Sequence, residues 1–200
     1  MAGPQRLIVG ISGASGVVYG VRLLEALRGA TIETHLVMSK PAEMALAYET
    51  DLKPKDIRKL ASVTHSVGDV GAAISSGSFQ TMGMIVLPCS IKTMSEIATG
   101  VTGTLISRAA DVCLKERRRL VIAIRETPLH AGHLRNLTAL SELGAIVAPL
   151  VPAFYTRPKT VDDIVNHSVG RLLDLFGIET DLVKRWRNSE TKAKGSIADE

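Results

Sequence analysis

Short apolar runs at 7–9, 31–38, 84–87, 120–124 and 145–150 alternate with stretches whose apolar residues recur at helical spacing. Apolar runs of this length read as strands buried on both faces, and helices between them let the strands run parallel. The first run is followed by Val17, Val18, Val21, Leu23, Leu24 and Leu27 on one helical face. Helices are expected at 41–49, at 93–98 and 105–114 with Gly100 and Gly103 between them, and at 130–143. The last, 161–176, has Thr160 as N-cap with Asp162 and Asp163 in its first turn. Residues 51–82 are less regular, with a short helix expected over 53–60 and a loop over 74–78. The pattern predicts a single α/β domain over 1–187, a three-layer α/β/α Rossmann-like (flavodoxin-like) parallel sheet, and a polar tail over 188–200.

Composition narrows the function. Only 4% of the 200 residues are aromatic, so the core is built from Val, Ile, Leu, Ala and Met. Base stacking on aromatic platforms is disfavoured, and a net charge of +4 is mild for a nucleic-acid surface. No apolar run has the length of a membrane span, and the N-terminus lacks a signal-peptide layout. Cys89 and Cys113 cannot make a disulfide framework, which suits reduced thiols in a cytoplasmic protein.

In parallel sheets, ligands bind outside the carboxyl ends of the strands. The residues to inspect are therefore Gly13-Ala14-Ser15, Ser39-Lys40, Pro88-Cys-Ser-Ile-Lys-Thr93, Arg125-Glu126 and Pro152-Ala-Phe-Tyr155. A glycine turn feeding a helix aims backbone N–H groups at an anion, although it also serves as a packing turn. Ser12 stands where a dinucleotide fingerprint has its second glycine, and Ser39 and Lys40 stand where a ribose-binding acid is needed. A nicotinamide dinucleotide is thereby disfavoured, and the P-loop pattern is missing too. Ser90, Lys92 and Thr93 suit a flavin edge or a phosphate, or simple N-capping. Arg125 beside Glu126 is a cation–carboxylate pair that serves catalysis or only structure.

Other candidates are weaker. Arg108 and Lys115 lie two turns apart on one helix face, and Arg117, Arg118 and Arg119 read as a solvated helix end. His130 and His133 lack a third metal ligand and favour capping or surface roles. Glu49 ends the second helix and can face the glycine turn, while Tyr155 and Arg171 can converge on a phosphate. Cys89 has no histidine with a path to activate it.

Together, Gly10-Ile-Ser-Gly-Ala-Ser-Gly16, Met38-Ser-Lys40, Glu49-Thr-Asp51, Pro88-Cys-Ser-Ile-Lys-Thr93, Arg108-Ala-Ala-Asp-Val112, Leu114-Lys-Glu-Arg-Arg118, Arg125-Glu126, Pro152-Ala-Phe-Tyr155 and Arg185-Trp186 resemble the flavin prenyltransferases, the UbiX family. The resemblance runs from about Arg6 to Trp186, with Arg119 replacing the proline usual before that strand. It implies a metal-independent transferase that joins the dimethylallyl group of dimethylallyl phosphate to N5 and C6 of reduced FMN. The product, prenylated FMN, serves a UbiD-type decarboxylase in ubiquinone biosynthesis. The resemblance implies that Gly13, Ala14, Ser15, Ser39, Ser90, Ile91, Lys92, Thr93 and Arg125 hold FMN. Arg108, Lys115, Tyr155 and Arg171 are implied to hold the prenyl phosphate, some from neighbouring subunits, with Trp186 covering the site. Ser15, Glu49 and Glu126 are the implied proton-handling groups, and the assembly is a homo-oligomer, a dodecamer. Several Arg and Lys donors stabilise a departing phosphate without Mg²⁺.

Two other readings stand beside this one. An FMN-dependent cysteine decarboxylase needs an early catalytic histidine and an Asn-rich substrate motif. Here His35 falls inside a predicted strand, and Ser-Ile-Lys-Thr fills the matching loop. A non-catalytic flavin carrier is the third reading.

Overall fold

A computed structural model describes residues 5–183 and Arg185. Its centre is a 6-stranded sheet in the order β3-β2-β1-β4-β5-β6, and every pairing is parallel. The strands are β1 (Gln5–Ile11), β2 (Ile32–Met38), β3 (Val63–His65), β4 (Gly83–Cys89), β5 (Arg119–Ile124) and β6 (Ile146–Val147). The helices are α1 (Val17–Leu27), α2 (Lys40–Glu49), α3 (Pro54–Arg58), α4 (Ile91–Thr99), α5 (Leu105–Lys115), α6 (Ala131–Glu142) and α7 (Val161–Asp174).

Alternate strand residues feed two cores, one on each face of the sheet. Leu7, Val9 and Ile11 of β1 pack with Leu24 of α1 and Val169 of α7. Ile8 joins Val86 of β4, Ile106 and Ala110 of α5 and Leu140 of α6 on the other face. The low aromatic content is met by aliphatic packing on both faces, which gives the three-layer Rossmann-like arrangement.

Several boundaries differ from the sequence expectation for physical reasons. β3 lies outside the sequence expectation: it is a three-residue edge strand without an apolar run, paired in parallel with β2 and flanked by side-chain contacts. Thr34 and Ser62 exchange backbone-to-hydroxyl bonds of 3.1 and 2.9 Å, and His35 Nδ1 lies 3.0 Å from His65 Nε2. β4 continues through Pro88 to Cys89, with a register shift against β5 between Val86 and Cys89. The segment after Val147 leaves regular strand geometry but stays docked, Ala148 N to Ile122 O at 2.9 Å and Leu150 N to Ile124 O at 3.2 Å. The expected 53–60 helix covers Pro54–Arg58, the 74–78 loop opens with a single 3-10 turn over Ala73–Ser75, and α7 stops at Asp174. Thr160 caps α7 as expected, its Oγ1 accepting the Asp163 amide at 3.1 Å.

Candidate active site

The strand order reverses between β1 and β4, where the chain leaves neighbouring strands in opposite directions and opens a crevice. A cleft of about 590 Å³ lies there. Its walls are Gly13, Ala14 and Ser15 after β1, Ser39, Lys40 and Pro41 after β2, and Ser90, Ile91, Lys92 and Thr93 after β4. Arg125 and Glu126 after β5 close it, with Val67, Glu96, Thr104 and Ile106 completing the lining.

The glycine turn packs tightly. A Cβ at Gly13 would sit 2.3 Å from Pro41 Cβ, so only glycine lets the turn rest against the start of α2. Gly16, at φ 94°, holds a left-handed conformation as the α1 N-cap. The anion at this helix terminus is Glu49. Its carboxylate accepts from Gly16 N at 2.9 and 3.1 Å and from Val17 N at 3.1 Å. A carboxylate is favoured there because unpaired amides and the helix dipole both attract negative charge. The expected anion site thus exists, but a residue from α2 fills its helix end, leaving Gly13–Ser15 to face the cleft.

The opposite wall is shaped by caps. Ser90 Oγ accepts the Thr93 amide at 3.3 Å and contacts Thr93 Oγ1 at 3.2 Å. Ser90 therefore caps α4, as one of its two readings expected, and it also lines the cleft. Lys92 Nζ meets Glu96 Oε1 at 2.6 Å, one turn along α4. Arg125 N donates to Cys89 O at 3.1 Å, while the Glu126 carboxylate accepts the Thr127 amide at 2.9 Å. An Arg125–Glu126 ion pair is not among the contacts of the described residues.

The remaining predicted residues lie elsewhere in the subunit. Arg108 pairs with Asp111 at 2.8 Å, and Lys115 pairs with Glu116 at the end of α5. Arg171 pairs with Asp174 at 2.6 Å, and Tyr155 Oη lies 3.1 Å from His167 Nε2. Trp186 and the tail lie outside the described residues. Of the three arginines expected as a solvated helix end, Arg117 is exposed just past α5, Arg118 is half-buried, and Arg119, though exposed, belongs to β5. Arg118 donates to the Phe79 carbonyl at 2.7 Å and to Gly77 O, and Arg119 opens β5 with its guanidinium 5.7 Å from the Phe176 ring centroid. His130 caps α6, its Nδ1 accepting from Gly132 N at 3.0 Å and His133 N at 3.4 Å. Among the described residues no group of three or more His, Cys, Asp or Glu side chains converges as metal ligands.

Burial pushes the Cys89 thiol far up, and pushes Cys113 up to about 12. Neither is a thiolate at neutral pH, so neither is a nucleophile. Sequence reading missed Pro41, Val67, Glu96, Thr104 and Ile106 as cleft residues. Of these only Glu96 had a signal, its i+4 spacing from Lys92.

The chain matches the Flavoprotein family model over residues 1–173. It is 57% identical over 188 residues to "Flavin prenyltransferase UbiX" of Escherichia coli K12, covering 92% of this chain and 100% of the relative. The chain belongs to the UbiX flavin prenyltransferases. It is accordingly a transferase of the flavoprotein class. A UbiX crystal structure described as AnUbiX (PadA1) in complex with FMN and dimethylallyl pyrophosphate superposes with a TM-score of 0.90 at 49% identity, covering 92% of this chain and 98% of that one. A structure described as a dodecameric FMN-dependent UbiX-like decarboxylase from Escherichia coli O157:H7 also gives 0.90, at 51% identity over 92% of this chain and 100% of that one. No helix of the described residues is long and apolar enough to cross a membrane.

Proposed function

We propose that this chain transfers the dimethylallyl group of dimethylallyl phosphate to N5 and C6 of reduced FMN, without a metal, breaking the allylic C–O bond and releasing inorganic phosphate. The prenylated FMN so formed serves a UbiD-type decarboxylase. The observation that carries this reading is the cleft itself: Gly13, Ala14, Ser15, Ser39, Ser90, Ile91, Lys92, Thr93 and Arg125 all line it. A concave site of about 590 Å³ is in the size range that encloses a mononucleotide cofactor.

Reduced FMN, when bound, supplies the nucleophilic N5 and the ring carbon C6 that completes the new ring. The residues of the chain do the rest. The backbone of Gly13–Ser15 and the hydroxyls of Ser39, Ser90 and Thr93 offer hydrogen bonds to phosphate or ribityl oxygens. Arg125 and Lys92 add positive charge. Glu126, with one oxygen engaged by the Thr127 amide, accepts the proton released at C6. Glu49 holds the glycine turn in shape, and Ser15 lies on the cleft face of that turn.

Arg108, Lys115, Tyr155 and Arg171 stand outside the cleft of one subunit. A neighbouring copy supplying part of this set reconciles their placement with a prenyl-phosphate role, which supports a homo-oligomer with sites at its interfaces, and the dodecameric relative supports twelve copies. Trp186 is assigned to cover the site. A cytoplasmic location is supported by two buried, unpaired thiols.

The test is anaerobic incubation of the protein with reduced FMN and dimethylallyl phosphate in EDTA, followed by mass analysis of the flavin. Gain of one C5 unit is expected. Flavin retained at unchanged mass would instead mark a carrier, and a gain abolished by EDTA would overturn metal independence. A cysteine decarboxylase would release CO₂ from a cysteine-terminated peptide, which is not expected here.

A further inference from the structure

A second chamber, of about 320 Å³, adjoins the cleft and shares Lys40 and Val67 with it. His65 and Ser66, just past the end of β2's neighbour β3, form part of its wall, as do Glu43 of α2 and Arg58 of α3, which make an ion pair. His65 also ends a line of contacts that crosses the sheet. Glu33 Oε1 lies 2.8 Å from His35 Nε2, and His35 Nδ1 lies 3.0 Å from His65 Nε2. His35 is buried between them, and Arg6 Nε approaches the second Glu33 oxygen at 3.4 Å.

We propose that this chamber is a binding site for inorganic phosphate, which donates its O–H to His65 Nδ1 and meets the positive charge of Lys40 and Arg58. The source of that phosphate rests on the transfer proposed above, whereas its binding rests on the chamber alone.

The line of contacts fixes what His65 offers. The hydrogen bond from His35, ahead of the charge of Arg6, holds Glu33 below the ordinary carboxylate range, so Glu33 is ionised and only accepts. His35 therefore donates from Nε2. With both rings neutral, His35 Nδ1 carries only a lone pair, and the N–H of the second contact belongs to His65 Nε2. His65 Nδ1 is then a bare acceptor. Among the described residues it makes no hydrogen bond, and Asp69 acts on the ring through charge. Burial, and then the charge of His35, hold His65 below the ordinary histidine range, which keeps the ring neutral at pH 7 and above.

A bare lone pair selects among phosphates. At pH 8 a phosphate monoester, whose second proton leaves near about pH 6, has no O–H, so its oxygens face the lone pair with lone pairs of their own. Inorganic phosphate keeps one O–H and can donate it. Glu43 and Asp69 offset much of the charge of Lys40 and Arg58, so charge alone holds no anion tightly here. The proposed transfer makes this distinction useful. It turns an ester into hydrogen phosphate, which takes up one proton released by the flavin, so the product gains the O–H that the donor substrate lacks.

The test is calorimetry at pH 8 on the protein loaded with oxidised FMN, so that no transfer occurs, with excess dimethylallyl phosphate present. Inorganic phosphate, sulfate and methyl phosphate are titrated in turn. Phosphate is expected to bind about tenfold more tightly than either of the others, the scale of one hydrogen bond. His65→Phe removes the acceptor and should abolish that preference. Arg58→Gln, at an exposed position, should weaken all three anions alike, and it reads the chamber even where His65→Phe fails to fold. FMN affinity should stay within about twofold in both variants. Absence of phosphate binding would overturn the proposal, and so would equal binding of the three anions by the wild type. Displacement of phosphate by dimethylallyl phosphate would place it in the donor's own site, and a parallel loss of FMN affinity in the variants would give the chamber to the FMN phosphate; either result sinks the assignment. A wild type that binds phosphate selectively, yet leaves reduced FMN at unchanged mass, keeps the site and overturns the proposed function alone.

Discussion

Ser12 Oγ lies 2.8 Å from the amide nitrogen of Ser90 and accepts its hydrogen bond. The same hydroxyl donates to Pro88 O at 3.0 Å, and the Ser12 amide donates to that carbonyl at 3.2 Å. Ser12 is fully buried, so these bonds face no competition from water. One small side chain thereby ties the loop after β1 to the loop after β4, the two main walls of the cleft. The position that departs from a dinucleotide fingerprint is the position that ties these two walls together.

Ser12→Ala leaves the half-buried Ser90 amide without its acceptor. The expected cost is about 1–3 kcal/mol of stability, with weaker FMN binding because the two walls lose their tie. Urea unfolding and fluorescence titration with FMN check both effects. Unchanged values in both would show that the loops are held by other contacts.

Gly13→Ala is expected to be worse for the site than for the scaffold. The added Cβ meets Pro41 Cβ at 2.3 Å, which forces the turn away from α2 and into the cleft. A loss of about 1–3 kcal/mol follows from overpacking, together with poor FMN retention on gel filtration.

Glu49→Gln keeps an acceptor for the α1 terminus but removes its charge. Stability should fall by about 0.3–1 kcal/mol, an effect that shrinks at high salt, as expected for a charge–dipole contact near the surface. Denaturant titrations at low and high ionic strength separate this from a purely steric change.

Glu126→Gln should bind FMN and dimethylallyl phosphate as the wild type does, yet form prenylated flavin more slowly. A loss of about 10²-fold is the scale for removing a general base. Single-turnover mass analysis measures it, and unchanged kinetics would assign the proton to another acceptor.

Stability should also fall as pH drops below about 6.5. Burial, and then the charge of His35, lower the pKa of His65 from its ordinary 6.5, with Asp69 opposing, and burial with Arg171 lowers that of His167. The unfolded chain therefore takes up protons on these rings at higher pH than the folded one, so acidification favours unfolding. The carboxyls of Glu33 and Asp174 are lowered instead, Glu33 chiefly by His35 and Asp174 chiefly by Arg185. Their contributions persist above the ordinary carboxylate range and are lost only in stronger acid. Melting curves between about pH 7 and pH 6 read chiefly the histidines, and His65→Gln should flatten the slope.

Much of this was legible before the fold was known. Strand and helix alternation, the glycine turn, the Thr160 cap and the cleft residues after β1, β2, β4 and β5 follow from local pattern and one rule about parallel sheets. Chain-local signals weaken where a segment is defined by its neighbours. β3 pairs in parallel with β2 over three residues, with Thr34–Ser62 and His35–His65 contacts beside that ladder, and no apolar run over 63–65 announces the pairing.

The sequence by itself therefore determined the fold class, the positions of the turns that line the cleft and, through its spaced motifs, the family. The tertiary structure decided which groups remain available. It placed Glu49 on the α1 terminus, spent Ser12 on joining two loops, buried both thiols, and set Tyr155 against His167. Hydrogen-bonding groups are finite, and whether a side chain is already engaged depends on partners tens of residues away. That pairing is a property of the folded geometry, which no local reading of the chain contains.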